Sequence, residues 1–214
     1  MSFRSLPAFA LFLAACAADV GEGRVEATVT DAPTEEPAAE PAAEPAGEVM
    51  TLAVDASQSK LGLIGAKVTA QHPIHFNEFT GEVTMTGDAV TGVSFVAQTA
   101  SVESDSERLT EHLKDADFLD VATHPTGEFT STSIVAGSDA EGDWTHTITG
   151  NLMIRGTTKQ VTFPAKIEMG ESGVTASTEF VINRQDFNIA YPGRADDLIQ
   201  DNVAMQINFV APKA

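Results

Sequence analysis

The chain has 214 residues, with 31 Asp and Glu against 12 Lys and Arg, and a formal charge of −19. Such a surface repels phosphate backbones, which basic proteins bind by releasing counterions, so nucleic acid is excluded as a partner. A single cysteine, Cys16, rules out a disulfide within the chain and leaves no thiol pair for redox work.

Residues 1–15 carry Arg4, then an apolar run from Leu6 to Ala15 that ends Leu13-Ala14-Ala15 before Cys16, which is the layout of a secretory signal. With its cysteine the segment resembles a bacterial lipobox. That resemblance implies cleavage before Cys16 and lipidation of the Cys16 sulfur; an ordinary signal with an incidental cysteine is the alternative. The run falls short of the ~20 apolar residues that a bilayer span needs, so the expectation is a membrane-tethered lipoprotein held by two or more acyl chains. Ala17 does not supply the aspartate that retains some lipoproteins at the inner membrane, which favours the outer membrane and a periplasm-facing domain.

Residues 16–48 hold nine acids against Arg24, a net of −8, and the near-repeat EPAAEPAAEPAG at 36–47. Apart from Val20, Val25 and Val29 they offer nothing large to bury, so a disordered Pro/Ala/Glu-rich stalk is predicted; a Pro-rich recognition motif is the other reading.

From 49 to 214 the chain shows period-two alternation, the mark of strands with one buried face. Strands are predicted at 52–55, 61–71, 77–85, 92–102, 129–135, 144–154, 158–167, 176–182 and 203–210. Turns are expected at Gly87-Asp88, Gly137-Ser138 and 170–173. About nine strands with short connections specify an all-β antiparallel architecture, a sandwich or a closed barrel, and runs of about ten residues suit a tilted barrel wall.

The interruption is ERLTEHLK at 107–114. Leu109 and Leu113 lie four apart on one helical side with His112 beside them, while Glu107, Glu111 and Lys114 can face water. Ser104 or Ser106 can cap its start, and His124-Pro125 ends any helix before the next strand.

Here the residues resemble the YceI-like, polyisoprenoid-binding family. The likeness rests on RLTEHL at 108–113, Asp117-Phe118-Leu119-Asp120 with His124-Pro125 and Glu128-Phe129, TGNLMIRGTT at 149–158, NRQDFNI at 183–189 and DNVAMQI at 201–207. It implies a lipocalin-like, eight-stranded antiparallel β-barrel with an apolar interior for an isoprenoid chain, and a short helical flap that places Phe118 and Leu119 over one end. Two departures are visible. Residues 60–68 lack the more aromatic strand ending in His that many members have, and Asn188 stands where many have glycine.

No Gly-x-Ser-x-Gly elbow or Gly-rich phosphate loop occurs, so no catalytic group is nominated and the expectation is a non-enzymatic protein without cofactor. His72, His75, His112, His124 and His146 could gather round a metal, but His72 and His75 straddle Pro73 in an expected loop, and no ligand spacing joins the rest. Asp117, Asp120 and Glu128 read as a solvated acidic face or as an acid-base group. Arg108 and Arg184 could hold a ligand's polar head, and His112 is a further candidate ligand-binding residue; as structural residues the arginines could pair with Glu111, Asp186 or Asp201.

The predicted apolar wall comprises Leu63, Phe76, Phe79, Val83, Phe95, Phe118, Leu119, Phe129, Leu152, Phe163, Phe180, Ile182 and Ile207, each equally readable as ordinary core. The expected ligand is a polyisoprenoid or similar amphiphile, such as a polyprenyl compound or quinone, in a hollow sleeve. The alternative is an envelope adaptor with a packed barrel and no ligand.

Overall fold

Alternating apolar and polar side chains make strands that can bury one face, and here they join into one curled sheet. The computed structural model describes residues 19–33, 47–138 and 143–213. Its elements are β1 (Val25–Glu26), β2 (Thr28–Asp31), β3 (Val49–Ala53), β4 (Lys60–Lys67), β5 (Ala70–Phe76), β6 (Phe79–Thr86), β7 (Ala89–Gln98), β8 (Val102–Ser104), α1 (Glu107–Lys114), β9 (Thr126–Ala136), β10 (His146–Ile154), β11 (Thr157–Gly170), β12 (Gly173–Asn183), β13 (Gly193–Arg194), β14 (Asp197–Leu198) and β15 (Asn202–Pro212). The main sheet runs β3-β6-β7-β9-β10-β11-β12-β15-β4-β5-β8, with β1 on β12 and β2 on β11; β13 and β14 form a separate hairpin.

Thirteen strands share this sheet where eight were expected. Part of the difference is local. The expected strand at 61–71 is two strands, because the chain reverses at Val68-Thr69 and Lys67 pairs with Ala70. Neither turn residue is a breaker, so the apolar run gave no sign of it. His72 and Pro73 lie within β5 and not in a loop. Pro73 pairs with Ile64 on β4, and the pairing of β5 with β8 starts one residue later at Ile74, so the missing N–H meets no ladder partner.

The larger correction concerns the expected stalk. β11 and β12 pair only between Lys166–Gly170 and Gly173–Ser177, and beyond that point they part. The chain's own residues 25–31 fill the opening: β1 runs parallel to β12, the Ala27 amide donates to the Val181 carbonyl at 2.9 Å, and β2 runs antiparallel to β11. Val20 is wholly buried beside Ala66, Val181 and Ala204. Arg24 is bonded to Glu179 and to the Val20 carbonyl, and Lys159 holds Asp31 at 2.7 Å. Residues 19–33 are therefore part of the folded unit, since a buried valine contributes roughly 1.5–3 kcal/mol. The expected signal and Cys16 lie outside the described residues, as does 34–46 of the stalk.

The interior is not hollow along its length. Phe95 on β7 and Phe209 on β15 come from strands that share no hydrogen bond, yet their rings meet edge-on at 5.7 Å. Phe79 stacks on Phe209, Phe95 on Phe129, and Phe163 on Phe180 at 4.1 Å, with Phe129 and Phe163 in contact. This plug corrects the expectation of a continuous sleeve. The Phe129 ring lies against Gly150, where a Cβ would stand 2.5 Å from its Cζ, so the absence of a side chain there seats the stack.

Candidate functional site: a cavity beneath α1

Beyond the plug, at the end where α1 crosses the sheet, the packing opens into an apolar cavity of about 150 Å3. Its walls come from β4, β5, β7, β10, β12 and β15, and its roof is Leu113, Phe118 and Leu119.

Local bonds place that roof. α1 spans the expected residues, but Ser106 at its start makes no side-chain cap. The Ser106 amide instead donates to the Ser104 hydroxyl at 3.2 Å, and the Thr110 hydroxyl accepts the Ser104 amide at 2.9 Å, so the end of β8 is tied to the first turn. After α1 the chain winds tightly: the Leu119 amide donates to the Leu113 carbonyl, the Val121 amide to the Lys114 carbonyl and the His124 amide to the Asp120 carbonyl. Asp120 takes φ 48° to permit this. Phe118 is thereby turned inward, 8% exposed, in a small cluster with Ile74, Val102 and Leu113. His112 meets the Phe118 and Tyr191 rings edge-on at 4.8 and 5.1 Å, and Phe118 touches Tyr191 at 5.4 Å.

Two arginines fasten the surrounding loops. Arg184, 5% exposed, donates to the carbonyls of Gln200, Ile189 and Ile199 and to Asp201 at 2.8 Å. Its fork is occupied by the chain itself, so it ties the 188–201 loop to the wall and takes the structural role, with Asp201 as its acid. Arg155 was not singled out by sequence. With Gly156 it forms the two-residue turn between β10 and β11, both at positive φ. Its guanidinium reaches the Ala116 carbonyl at 2.6 Å and the Asn188 carbonyl, joining the turn after α1 to the far loop. Asn188 holds φ 60°, a left-handed backbone that asparagine tolerates.

The sequence-predicted wall divides in two. Leu63, Phe76, Phe95, Phe118, Leu119, Leu152, Ile182 and Arg184 line the cavity, whereas Phe79, Val83, Phe129, Phe163, Phe180 and Ile207 belong to the packed core. Arg108 and His112 line a neighbouring recess between α1 and the β13–β14 hairpin. Sequence reading missed Phe187, Ile189, Ile199 and Met205 as lining residues. Met205 shared the inward face of an expected strand, but Ile189 and Ile199 sit in a polar, Pro- and Gly-containing loop that carries no periodic signal.

The histidines are dispersed. His72 meets Asp105 at 2.9 Å, His75 is 3.7 Å from Glu103, His112 is 3.3 Å from Asp117, His124 packs on Gly156 and His146 meets Thr145. Burial holds the His146 pKa below the usual imidazole value. Among the described residues no three His, Cys, Asp or Glu side chains converge to hold a metal.

Comparison with known proteins agrees with this architecture. The description YceI-like domain matches residues 52–211. A UPF0312 protein of Pseudomonas putida is 33% identical over 123 residues, covering 53% of this chain and 60% of that protein. The chain thus matches less than two thirds of that relative's length. The crystal structure of BcnA from Burkholderia cenocepacia is similar with a TM-score of 0.64 and 22% identity over 74% of this chain and 99% of that one. A polyisoprenoid binding domain from Saccharophagus degradans implicated in plant cell wall breakdown gives a TM-score of 0.59 and 14% identity, covering 77% of this chain and 100% of that one. At these identities the two structures speak to the fold.

Proposed function

The chain belongs to the YceI-like domain family, and from that footing we propose that it is a non-catalytic protein that takes the tail of an isoprenoid or similar amphiphile into the flap half of its barrel. The observation that carries this is the apolar cavity of about 150 Å3 under Phe118 and Leu119, set in a fold shared with a polyisoprenoid binding domain. Each methylene transferred from water into such a space is worth roughly 0.8 kcal/mol, so affinity follows tail contact more than head chemistry. The Phe plug sets the depth, and a tail longer than the cavity leaves its remainder at the mouth or displaces rings.

The wall itself reads as eight ribbons if segments that continue across short breaks are joined, β3 with β4, β5 with β6 and β7 with β8. In support, β7 pairs with β6 while its continuation β8 pairs with β5, and beyond β3 the Asp55 amide donates to the Val210 carbonyl of β15 at 2.8 Å. On this reading 25–31 is an inserted seam, and α1 with 115–124 is the flap that admits the tail.

Tethering at Cys16 in the cell envelope completes the proposal. Cys16 is three residues before Asp19, a reach of at most about 10 Å. The Val20 amide donates to the side-chain oxygen of Gln200 beside the cavity, at 3.1 Å, so the lipid would emerge at the flap end and turn the mouth toward the bilayer. Replacing Cys16 by Ser should move the protein from membrane to soluble fractions.

Native mass spectrometry of gently purified protein tests the central reading. One-to-one adducts with prenyl alcohols or quinones are expected, and a homogeneous apo species that takes up none of them would sink it. The ring plug gives the adaptor with a packed barrel its support, and that same negative result would favour it.

A further inference from the structure

Where β12, β15, β4 and β5 lie side by side, a groove of about 770 Å3 runs along the outside of the wall. That is within the roughly 300–1,000 Å3 in which small-molecule ligands are held. Strand register builds it. Ser177 on β12 stands opposite Asn208 on β15, which stands opposite Lys60 on β4. One rung further along, Glu179, Gln206 and Gly62 are in line, with His75 on β5 beyond them. These positions alternate with the buried Phe180, Ile207 and Leu61, so they face outward. Gly62 keeps the floor low: a Cβ there would stand 3.0 Å from the Ile74 carbonyl oxygen and 3.8 Å from the His75 Cβ. Trp144, the only tryptophan of the chain, is half-buried and lines the same groove. Leu61, Leu63, Ile74 and Phe76 border both this groove and the apolar cavity, but no residue of α1 lines it, so it lies against the outside of the cavity wall.

Its charges are few for a chain with 31 acids. Glu179 is the one acid, and it is taken up by Arg24 and by the Gln206 amide at 3.0 Å. Lys60 is the one lysine or arginine. The side chains of Lys60, Ser177 and Asn208 have no hydrogen-bond or ion-pair partner among the described residues. The groove thus sets a hydroxyl, a carboxamide and an ammonium, all uncommitted, beside an indole.

We propose that this groove binds a neutral oligosaccharide. A sugar ring has a face of C–H bonds that lies on an aromatic surface, and a rim of hydroxyls that each donate and accept, which matches that mixed set of partners. A wholly apolar ligand would bury the same polar groups unpaired. An anion would find one free cation here and the field of a chain with formal charge −19 around it. The inference is independent of whether the cavity takes a tail.

Because Trp144 is the sole tryptophan, its fluorescence reports the groove directly. Full-length protein would be titrated with tetra-N-acetylchitotetraose, cellotetraose and maltotetraose, followed by tryptophan emission and by calorimetry. A saturable emission change with at least one of them is expected. S177A/N208A should weaken that binding about tenfold with the melting temperature unchanged, since neither side chain holds a partner in the fold. W144A, read by calorimetry, should weaken it by a similar factor of about ten. An anionic hyaluronan tetrasaccharide should bind about tenfold more weakly than the best neutral one. No saturable response to any of the three neutral sugars overturns the proposal, as does binding that keeps its strength in both S177A/N208A and W144A, which would put the sugar elsewhere. Hyaluronan binding tighter than all three overturns the neutral class. Emission that shifts with farnesol and with none of the sugars would make the groove part of a tail's path and overturns the proposal too.

Discussion

Replacing Phe118 by Ala tests the flap directly. The ring is 8% exposed and touches His112 and Tyr191, so its loss removes packing that nothing nearby can replace. Buried Phe→Ala changes cost about 3–5 kcal/mol. The lower end, about 3 kcal/mol, applies because one side of Phe118 already borders open cavity and has fewer contacts to lose. Phe118 packs with Ile74, Val102 and Leu113 in a cluster separate from the Phe plug, so the loss should appear as flap opening and not as global unfolding.

Three kcal/mol raises the open population on the order of a hundredfold. Hydrogen exchange at the Leu119 and Val121 amides, which bond back to Leu113 and Lys114, should accelerate by about that factor, while amides of β9–β11 keep their rates. If the change were shared by the whole barrel, the melting temperature would instead fall by about 6–12 °C. Unchanged exchange at Leu119 and Val121, or equal acceleration in β9–β11, would refute the idea of an independently opening flap.

Val20→Asp, which places a carboxylate among Ala66, Val181 and Ala204, should destabilise by about 2–4 kcal/mol and release 19–31, read as a new proteolytic site in that segment; resistance like that of the unaltered protein would contradict its role in the sheet. The same seam should loosen in acid. Burial works to raise the Glu179 pKa, but bonds from Arg24 and Gln206 outweigh it and hold it below the ordinary value, so its contribution is present above the unfolded pKa and lost as pH falls through the lowered folded one. Exchange in 19–31 should rise over that acid window, and Arg24→Met should flatten the dependence. Arg184→Met leaves the carbonyls of Ile189, Ile199 and Gln200 without their donor and should cost about 3 kcal/mol, seen as faster exchange across 188–201; a melting temperature within 1 °C of the parent would count against its tying role.

The sequence carried the strands, because alternation reports a buried face directly, and it carried α1, because Leu109 and Leu113 share a helical side with polar residues around them. It also told which Phe residues of the strands point inward, but not Phe187, which follows β12. It could not tell how far along the barrel each one sits: Phe95 and Phe163 alternate alike, yet Phe95 borders the cavity while Phe163 stacks on Phe180 within the core. Height along the axis depends on register between strands distant in sequence. For the same reason 19–33 read as stalk, since three valines among acids give no period and the strands that β1 and β2 pair with lie more than a hundred residues away. Arg155 was overlooked because its role comes from a turn geometry that points it at two other loops.

The inserted seam also sets an order of assembly. Arg24 meets Glu179 at a separation of 155 residues, and Asp31 meets Lys159 at 128. A ribosome releases 19–31 well before β11 and β12, and the two strands that flank it do not both exist until residue 183 has been made. A segment made long before its partners is thus among the last to find its seat, and such distant pairings are the slow ones in folding. Until then the nascent barrel carries an unzipped side, and a chaperone that occupied 19–31 during that wait would hold the whole domain short of completion.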